Sequence, residues 1–181
     1  MNLDETAVSI SKDLKQVVFV GAYAVVSHLG SFRQTRDINI ALASPISERE
    51  LEELGYKTRI EAGKKVTRTE DGVKVDIYRK DVSGIPIEQV FATAVPKKVG
   101  KNPIMIMGLE ALLLAKMRAS RPSRPQDSTD IQELCRHRGK DVNWSLVKSL
   151  VLNDVEYENL KNTVKALSTP TDSQKTKAKR K

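Results

Sequence analysis

The chain has 181 residues, a formal net charge of +8, a single cysteine and only 4% aromatic residues. That length suits one domain, or one small domain with a helical appendage, with a core built from Val, Ile, Leu and Ala. A lone Cys135 excludes an internal disulfide, no apolar run is long enough to span a bilayer, and the N-terminal stretch lacks the basic and apolar regions of a signal peptide; a soluble, cytoplasmic protein with no membrane partner is expected.

In chain order, Asp4 to Gln16 places Ala7, Val8, Ile10 and Leu14 at near-helical spacing, which predicts a short amphipathic helix packed on a sheet. The stretch VVFVGAYAVVSHLGSFRQTRDINIAL then predicts a strand over Val17 to Val20, a turn at Gly21, a buried helix to Leu29, a Gly30-Ser31 break and a second strand over Asp37 to Leu42. Strand alternation puts Asp37, Asn39 and Ala41 on one face and Ile38, Ile40 and Leu42 on the other. The first face is polar enough to hold a metal, and the second belongs to a core. Ser47 and Glu50 form a capping-box pattern for a helix that Gly55 stops.

From Tyr56 to Arg79 the pattern becomes alternating. Three consecutive antiparallel strands are expected, the last two joined at Asp71-Gly72. In the last strand Lys74, Asp76 and Tyr78 share a face, so Asp76 is either a site acid or a solvent-facing acid near a hairpin. The proline-rich segment Ile85 to Met107 predicts a strand around Gln89 to Val95 and a loop. Helices follow over Gly108 to Ser120, Asp127 to His137, Asn143 to Leu152 and Asp154 to Leu167, the last two with Asn143 and Asp154 as N-caps. The expected layout is an α/β domain over 1–107, a helical part over 108–167, and a disordered basic tail over 168–181. That tail holds five basic residues against Asp172 alone, half of the net charge of the whole chain. Such a tail suits nucleotide phosphates or RNA, or is simply solvated.

Three constellations carry candidate chemistry. Gly21, Ser31, Asp37, Asn39 and Asp76 would combine hard oxygen ligands for Mg²⁺ with a glycine turn into a helix N-terminus, where phosphate oxygens are favoured. Lys116, Arg118, Arg121, Arg124, Asp127 and Asp130 line a helix–loop–helix, in which Arg121 to Arg124 is either a phosphate clamp or a solvated linker. Lys116 and Arg118 lie two apart and need not act together. His28, Cys135 and His137 lack the number and spacing of zinc ligands; His28 reads as a packed helix residue and Cys135 as a small core hydrophobe. No P-loop or GxGxxG is present in the sequence.

With these residues in place, the chain resembles the nucleotidyltransferase superfamily with the DNA polymerase β-like fold, and within it the minimal, toxin-related AbiEii branch. VFVGAYA followed by GSFRQTRDINI is similar to the opening motif of that superfamily, and LLLAKMRASRPSRPQDSTDIQEL to its later helical element. The resemblance implies an α+β fold: a small, mixed, largely antiparallel sheet flanked by helices and followed by a helical C-terminal part. It implies transfer of a nucleoside monophosphate from an NTP, ATP among them, to a hydroxyl of RNA (a tRNA end, for instance), a protein or a small molecule, with Mg²⁺ or Mn²⁺. Asp37 and Asp76 match acids of the metal site, with Asn39 where a second carboxylate is usual; Lys116 and Asp127 match the downstream catalytic pair. Gly21, Ala22, Ser31, Arg33, Thr35, Lys116 and Arg121 would contact the nucleotide, Ala22 without the hydroxyl that a serine there would bring. An amide carbonyl ligates a hard cation but brings no charge and cannot bridge two metals, so a second metal site is weakened most. The alternative implied is a catalytically impaired member that binds nucleotide or RNA as a regulatory or partner module.

Overall fold

The computed structural model describes residues 2–30 and 32–168. Of the expected tail over 168–181, Ser168 belongs to the last helix, and residues 169–181, like the candidate Ser31, lie outside the described residues. The elements run α1 (Leu3–Leu14), β1 (Val17–Val20), α2 (Gly21–Leu29), β2 (Asp37–Leu42), α3 (Glu48–Glu53), β3 (Lys57–Glu61), β4 (Lys64–Arg68) and β5 (Lys74–Tyr78). They continue with β6 (Asp81–Val82), β7 (Ile85–Pro86), α4 (Ile87–Ala92), β8 (Val95–Val99), β9 (Asn102–Ile106) and α5 (Leu109–Ala119). A helix α6 (Pro125–Arg138), a 3-10 turn (Gly139–Asp141), α7 (Trp144–Leu150) and α8 (Asp154–Ser168) complete them.

The main sheet has the strand order β3-β4-β5-β2-β1-β9-β8. The pairings β1/β2, β3/β4, β4/β5 and β8/β9 are antiparallel, whereas β2/β5 and β1/β9 are parallel. This is the mixed, largely antiparallel α+β sheet expected from the resemblance. Because strands alternate, each face of the sheet has its own core. Phe19, Ile38, Ile40, Val75, Ile104 and Ile106 pack with Ala7 and Ile10 of α1 and Leu51 of α3. On the opposite face Val18, Val20 and Ala41 join residues of α2 and of α4 to α8 in one larger core. The Asp37 face is therefore polar only at the start of β2; by Ala41 it is buried. The helical C-terminal part shares that core with the sheet rather than enclosing one of its own.

Local sequence rules account for most boundaries. Ser47 and Glu50 close a full capping box on α3, and Asn143 accepts the Ser145 and Leu146 amides at the start of α7. Two expectations need correction. The segment around Gln89 to Val95 is not a strand. Ile87, Val90 and Phe91 at i, i+3 and i+4 form the inner stripe of α4, and a β8–β9 hairpin follows. Pro86 stands just before α4, Pro96 lies on the edge strand β8, and Pro103 lies on the part of β9 that extends beyond its single pairing with β1, Phe19 to Ile106, so no proline removes a needed donor. The N-cap of α8 is Asn153, not Asp154: its Oδ1 accepts the Glu156 amide at 3.0 Å. Replacing Asn153 with Ala should cost about 1 kcal/mol, read as a lower urea midpoint with an unchanged m-value.

Candidate functional site

The site begins where β1 turns directly into α2. Gly21 adopts φ +62, and a Cβ built there would lie 3.1 Å from Asn39 Cγ and closer still to its amide nitrogen. Only glycine lets the backbone pass that amide in this conformation. The first amides of α2 have no intrahelical acceptor, and no side chain caps them. Ala22 stands among them, half-buried, at the positive end of the helix dipole.

Four residues of the neighbouring strands make a two-by-two patch on the face shared with α2. Parallel pairing of β2 with β5 sets Asp37 beside Lys74 and Asn39 beside Asp76. Strand spacing and rise then place the Cα atoms of Asp37 and Asp76, diagonal neighbours, about 8 Å apart. Thr35 donates its hydroxyl to Asp37 Oδ1 at 3.0 Å and lies 3.2 Å from the Asp37 carbonyl, so the carboxylate is held in place from the strand mouth. Lys74 Nζ donates to Asp76 Oδ2 at 2.7 Å, with both side chains more than one-third exposed. Asn39 Oδ1 is buried and accepts no hydrogen bond.

That orphaned carbonyl oxygen bears on the expected cation. A buried acceptor without a donor is costly unless something electropositive meets it. Two carboxylates and an amide carbonyl are hard oxygen donors of the kind Mg²⁺ or Mn²⁺ takes, and the residues present fit one such ion. Among the described residues, no group of three His, Cys, Asp or Glu side chains could hold a metal, so the amide is needed to complete the set.

The helical half of the constellation lies deeper. Lys116 Nζ is 2.7 Å from Asp127 Oδ1 and 2.7 Å from Asp130 Oδ2, and all three residues are buried. Arg33 clamps Asp130 with two bonds of 2.8 Å, tying the loop before β2 to α6. Arg124 Nε stands 2.9 Å from Asp127 Oδ2, yet that oxygen makes no aligned hydrogen bond, so the contact is an ion pair only. Arg33 and Lys116 are thus engaged with carboxylates, whereas Arg121 is exposed in the loop between α5 and α6. Arg118 turns elsewhere and clamps Glu156, as its separation from Lys116 implied.

Tyr78 joins the two halves. Burial raises its phenol pKa first and the nearby Asp76 charge raises it further, while Arg124, Lys116 and Lys74 pull it back. The charges of the sheet patch and of the buried network therefore act on one ring. Lys74 and Tyr78 were legible as face partners of Asp76 from alternation, and Asp130 as a neighbour of Asp127; no sequence signal told that Lys74 would reach Asp76 or that Asp130 would be shared by Lys116 and Arg33. The third constellation has structural roles: His28 Nε2 donates to the Met107 carbonyl at 2.8 Å, with its pKa lowered mainly by burial, and burial pushes the Cys135 thiol up to about 11.

Residues 2–168 match the family described as nucleotidyl transferase of unknown function (DUF2204). The chain belongs to this family. No curated protein sequence is significantly similar to it. Solved structures share the family's fold at low identity. An antigenic nucleotidyltransferase-like protein from Paracoccidioides brasiliensis is 13% identical with a TM-score of 0.54, over 91% of this chain and 92% of the other. ANT(2")-Ia in complex with adenylyl-2"-tobramycin is 14% identical with a TM-score of 0.53, over 92% and 97%. JHP933 from Helicobacter pylori is 14% identical with a TM-score of 0.53, over 98% and 94%. The nucleotidyltransferase superfamily and fold are thereby established, and among the described residues no helix is long and apolar enough to cross a membrane.

Proposed function

We propose that this nucleotidyltransferase-family chain transfers a nucleoside monophosphate from an NTP to a hydroxyl acceptor and releases pyrophosphate. The observation that carries the reading is the diagonal placement of Asp37 and Asp76 on adjacent parallel strands, beside the Gly21 turn into α2. Asp37, Asp76 and Asn39 Oδ1 would hold Mg²⁺ or Mn²⁺, which when bound supplies charge neutralisation at the phosphates and orientation of the attacking oxygen. The open amides of α2 at Gly21 and Ala22 bind phosphate oxygens. Thr35 keeps Asp37 aimed at the site, and Arg33, locked on Asp130, fixes the loop that carries Thr35. Asp76 Oδ1, the oxygen not taken by Lys74, is free to ligate or to accept the proton that the acceptor hydroxyl loses as its oxygen bonds to the α-phosphorus. Arg121 on the open loop between α5 and α6 would contact the nucleotide, with buried Lys116 and Asp127 holding those two helices together behind it.

Within the superfamily the toxin-related AbiEii branch is proposed, supported by the Lys116 helix and the Asp127-to-Ile131 stretch in the order that branch has them. The acceptor is an RNA, a protein side chain or a small molecule. The net basic charge leans towards RNA, and the adenylyl-2"-tobramycin in one structural neighbour makes an aminoglycoside hydroxyl worth including. A cytoplasmic setting fits the lone, buried Cys135. A second reading, a nucleotide-binding module without transfer, is favoured by the neutral Asn39 and by Lys74 on Asp76.

Incubation with each labelled NTP, Mg²⁺ or Mn²⁺, and total RNA or an aminoglycoside separates the two. Label transfer by the native chain that falls at least about a thousandfold in Asp37→Ala supports the enzyme. Transfer by Asn39→Asp alone supports the binding module, and no nucleotide binding by any variant overturns both.

A further inference from the structure

We infer that Lys74 is a built-in cation that takes the place of a second divalent metal, so that the site holds one metal ion rather than two. The inference rests on the reading of Asp37, Asn39 and Asp76 as a cation site and concerns how many ions that site accepts. Lys74 lies on the same face of β5 as Asp76, directly beside Asp37 and diagonal to Asn39, two register positions away. Its ammonium sits 2.7 Å from Asp76 Oδ2, occupying one of the two carboxylate oxygens that a pair of divalent ions would have to share. Asp37, Asn39, Lys74 and Asp76 together carry a net formal charge of −1. One divalent ion on Asp37, Asn39 Oδ1 and the free Asp76 oxygen turns that into +1. A second would raise the patch to +3 within a few ångströms, where like charges repel strongly even when partly solvated.

The amide and the lysine are thus complementary features. Asn39 withholds the bridging carboxylate, and Lys74 supplies a positive charge at the position that carboxylate would have served. Lys74 thereby keeps a positive charge beside Asp76 without a bound ion, on a flexible stem. The second reading of the patch, that Lys74 simply neutralises a solvent-facing acid outside the ion's surroundings, makes a different forecast for metal binding, because removing such a lysine would leave the ion's affinity unchanged.

Titration of the full chain with Mn²⁺ alone, counting bound ions from the loss of the free-ion paramagnetic resonance signal, tests the inference. One ion per chain is expected for the native protein, lost in Asp37→Ala. Lys74→Met should bind its first ion at least about tenfold more tightly, since a unit charge of like sign is removed from the ion's immediate surroundings. Lys74→Arg should keep the native count and affinity, and Asn39→Asp combined with Lys74→Met should take up a second ion. Thermal unfolding of each variant reports folding; the partial exposure of Lys74 predicts unchanged midpoints for its single variants. Two Mn²⁺ ions in the native chain, both dependent on Asp37, would overturn the role of Lys74 and leave the transferase reading standing, as would an affinity that Lys74→Met does not raise. No Asp37-dependent Mn²⁺ binding in any variant would overturn both.

Discussion

Replacing Lys116 with Met is expected to cost about 3–5 kcal/mol of stability, because it leaves buried carboxylates without their shared cation. Lys116 contacts both Asp127 and Asp130, and neither aspartate has appreciable exposure. Asp130 keeps Arg33 in the variant, but Asp127 keeps only Arg124, whose side chain is mostly in solvent and whose contact is not an aligned hydrogen bond. Methionine fills much of the lysine's volume, so the loss isolates charge rather than packing. In a chain of this size the midpoint of thermal unfolding should fall by roughly 10 °C. Asp130→Asn should also destabilise, since one amide oxygen replaces two carboxylate acceptors and the amide NH2 meets a donor of Arg33 or Lys116. An unchanged midpoint in Lys116→Met would mean that the network is not the tie between the sheet and α6 that its geometry implies.

Gly21→Ala is expected to be the most damaging small change at the site. A non-glycine residue at φ +62 costs about 1–2 kcal/mol, and the new methyl group also runs into the Asn39 amide. The amide is the softer partner, so it rotates away and its buried carbonyl is displaced. Stability should fall by about 1–3 kcal/mol, and Asp37-dependent Mn²⁺ affinity by at least about tenfold as one oxygen ligand is lost. A double-mutant cycle separates the two causes. In an Asn39→Ala background the two closest collisions, with the amide nitrogen and Cγ, are gone and only a tight contact with Cβ and the backbone cost remain, so the two stability losses should fail to add. Additive losses would show that Gly21 and Asn39 do not press on each other.

Much of the site was legible in the sequence because it depends on local periods. Alternation in DINIAL and KVDIY placed Asp37 with Asn39 and Lys74 with Asp76 on single faces, and these four are partly open while Ile38, Ile40 and Val75 between and beside them are buried. The capping box of Ser47 and Glu50 was readable for the same reason, as it involves neighbours three apart. Where local signals conflicted, reading failed. The prolines between Pro86 and Pro103 argued against regular structure, yet they sit at a helix start and at positions whose amides need no partner, and so hid α4 and the β8–β9 hairpin. Asn153 and Asp154 are both good caps, and only the observed bond to the Glu156 amide chooses between them.

By itself, then, the chain determined its strands, most of its helices and the candidacy of Asp37, Asn39 and Asp76, since each follows from residue type and spacing over a few positions. It could not determine that β2 and β5 lie side by side and parallel, for that pairing joins residues nearly forty positions apart and is selected by the burial of two opposite cores. Nor could it determine that Arg33 reaches Asp130 across 97 positions, or that Lys116 is buried between two aspartates. Those contacts exist because packing α2, α5 and α6 on one face of the sheet removes their charges from water, and buried charges must find one another. Lys74 and Asp76 share a face by local alternation; only the tertiary structure set that pair beside Asp37 and Asn39.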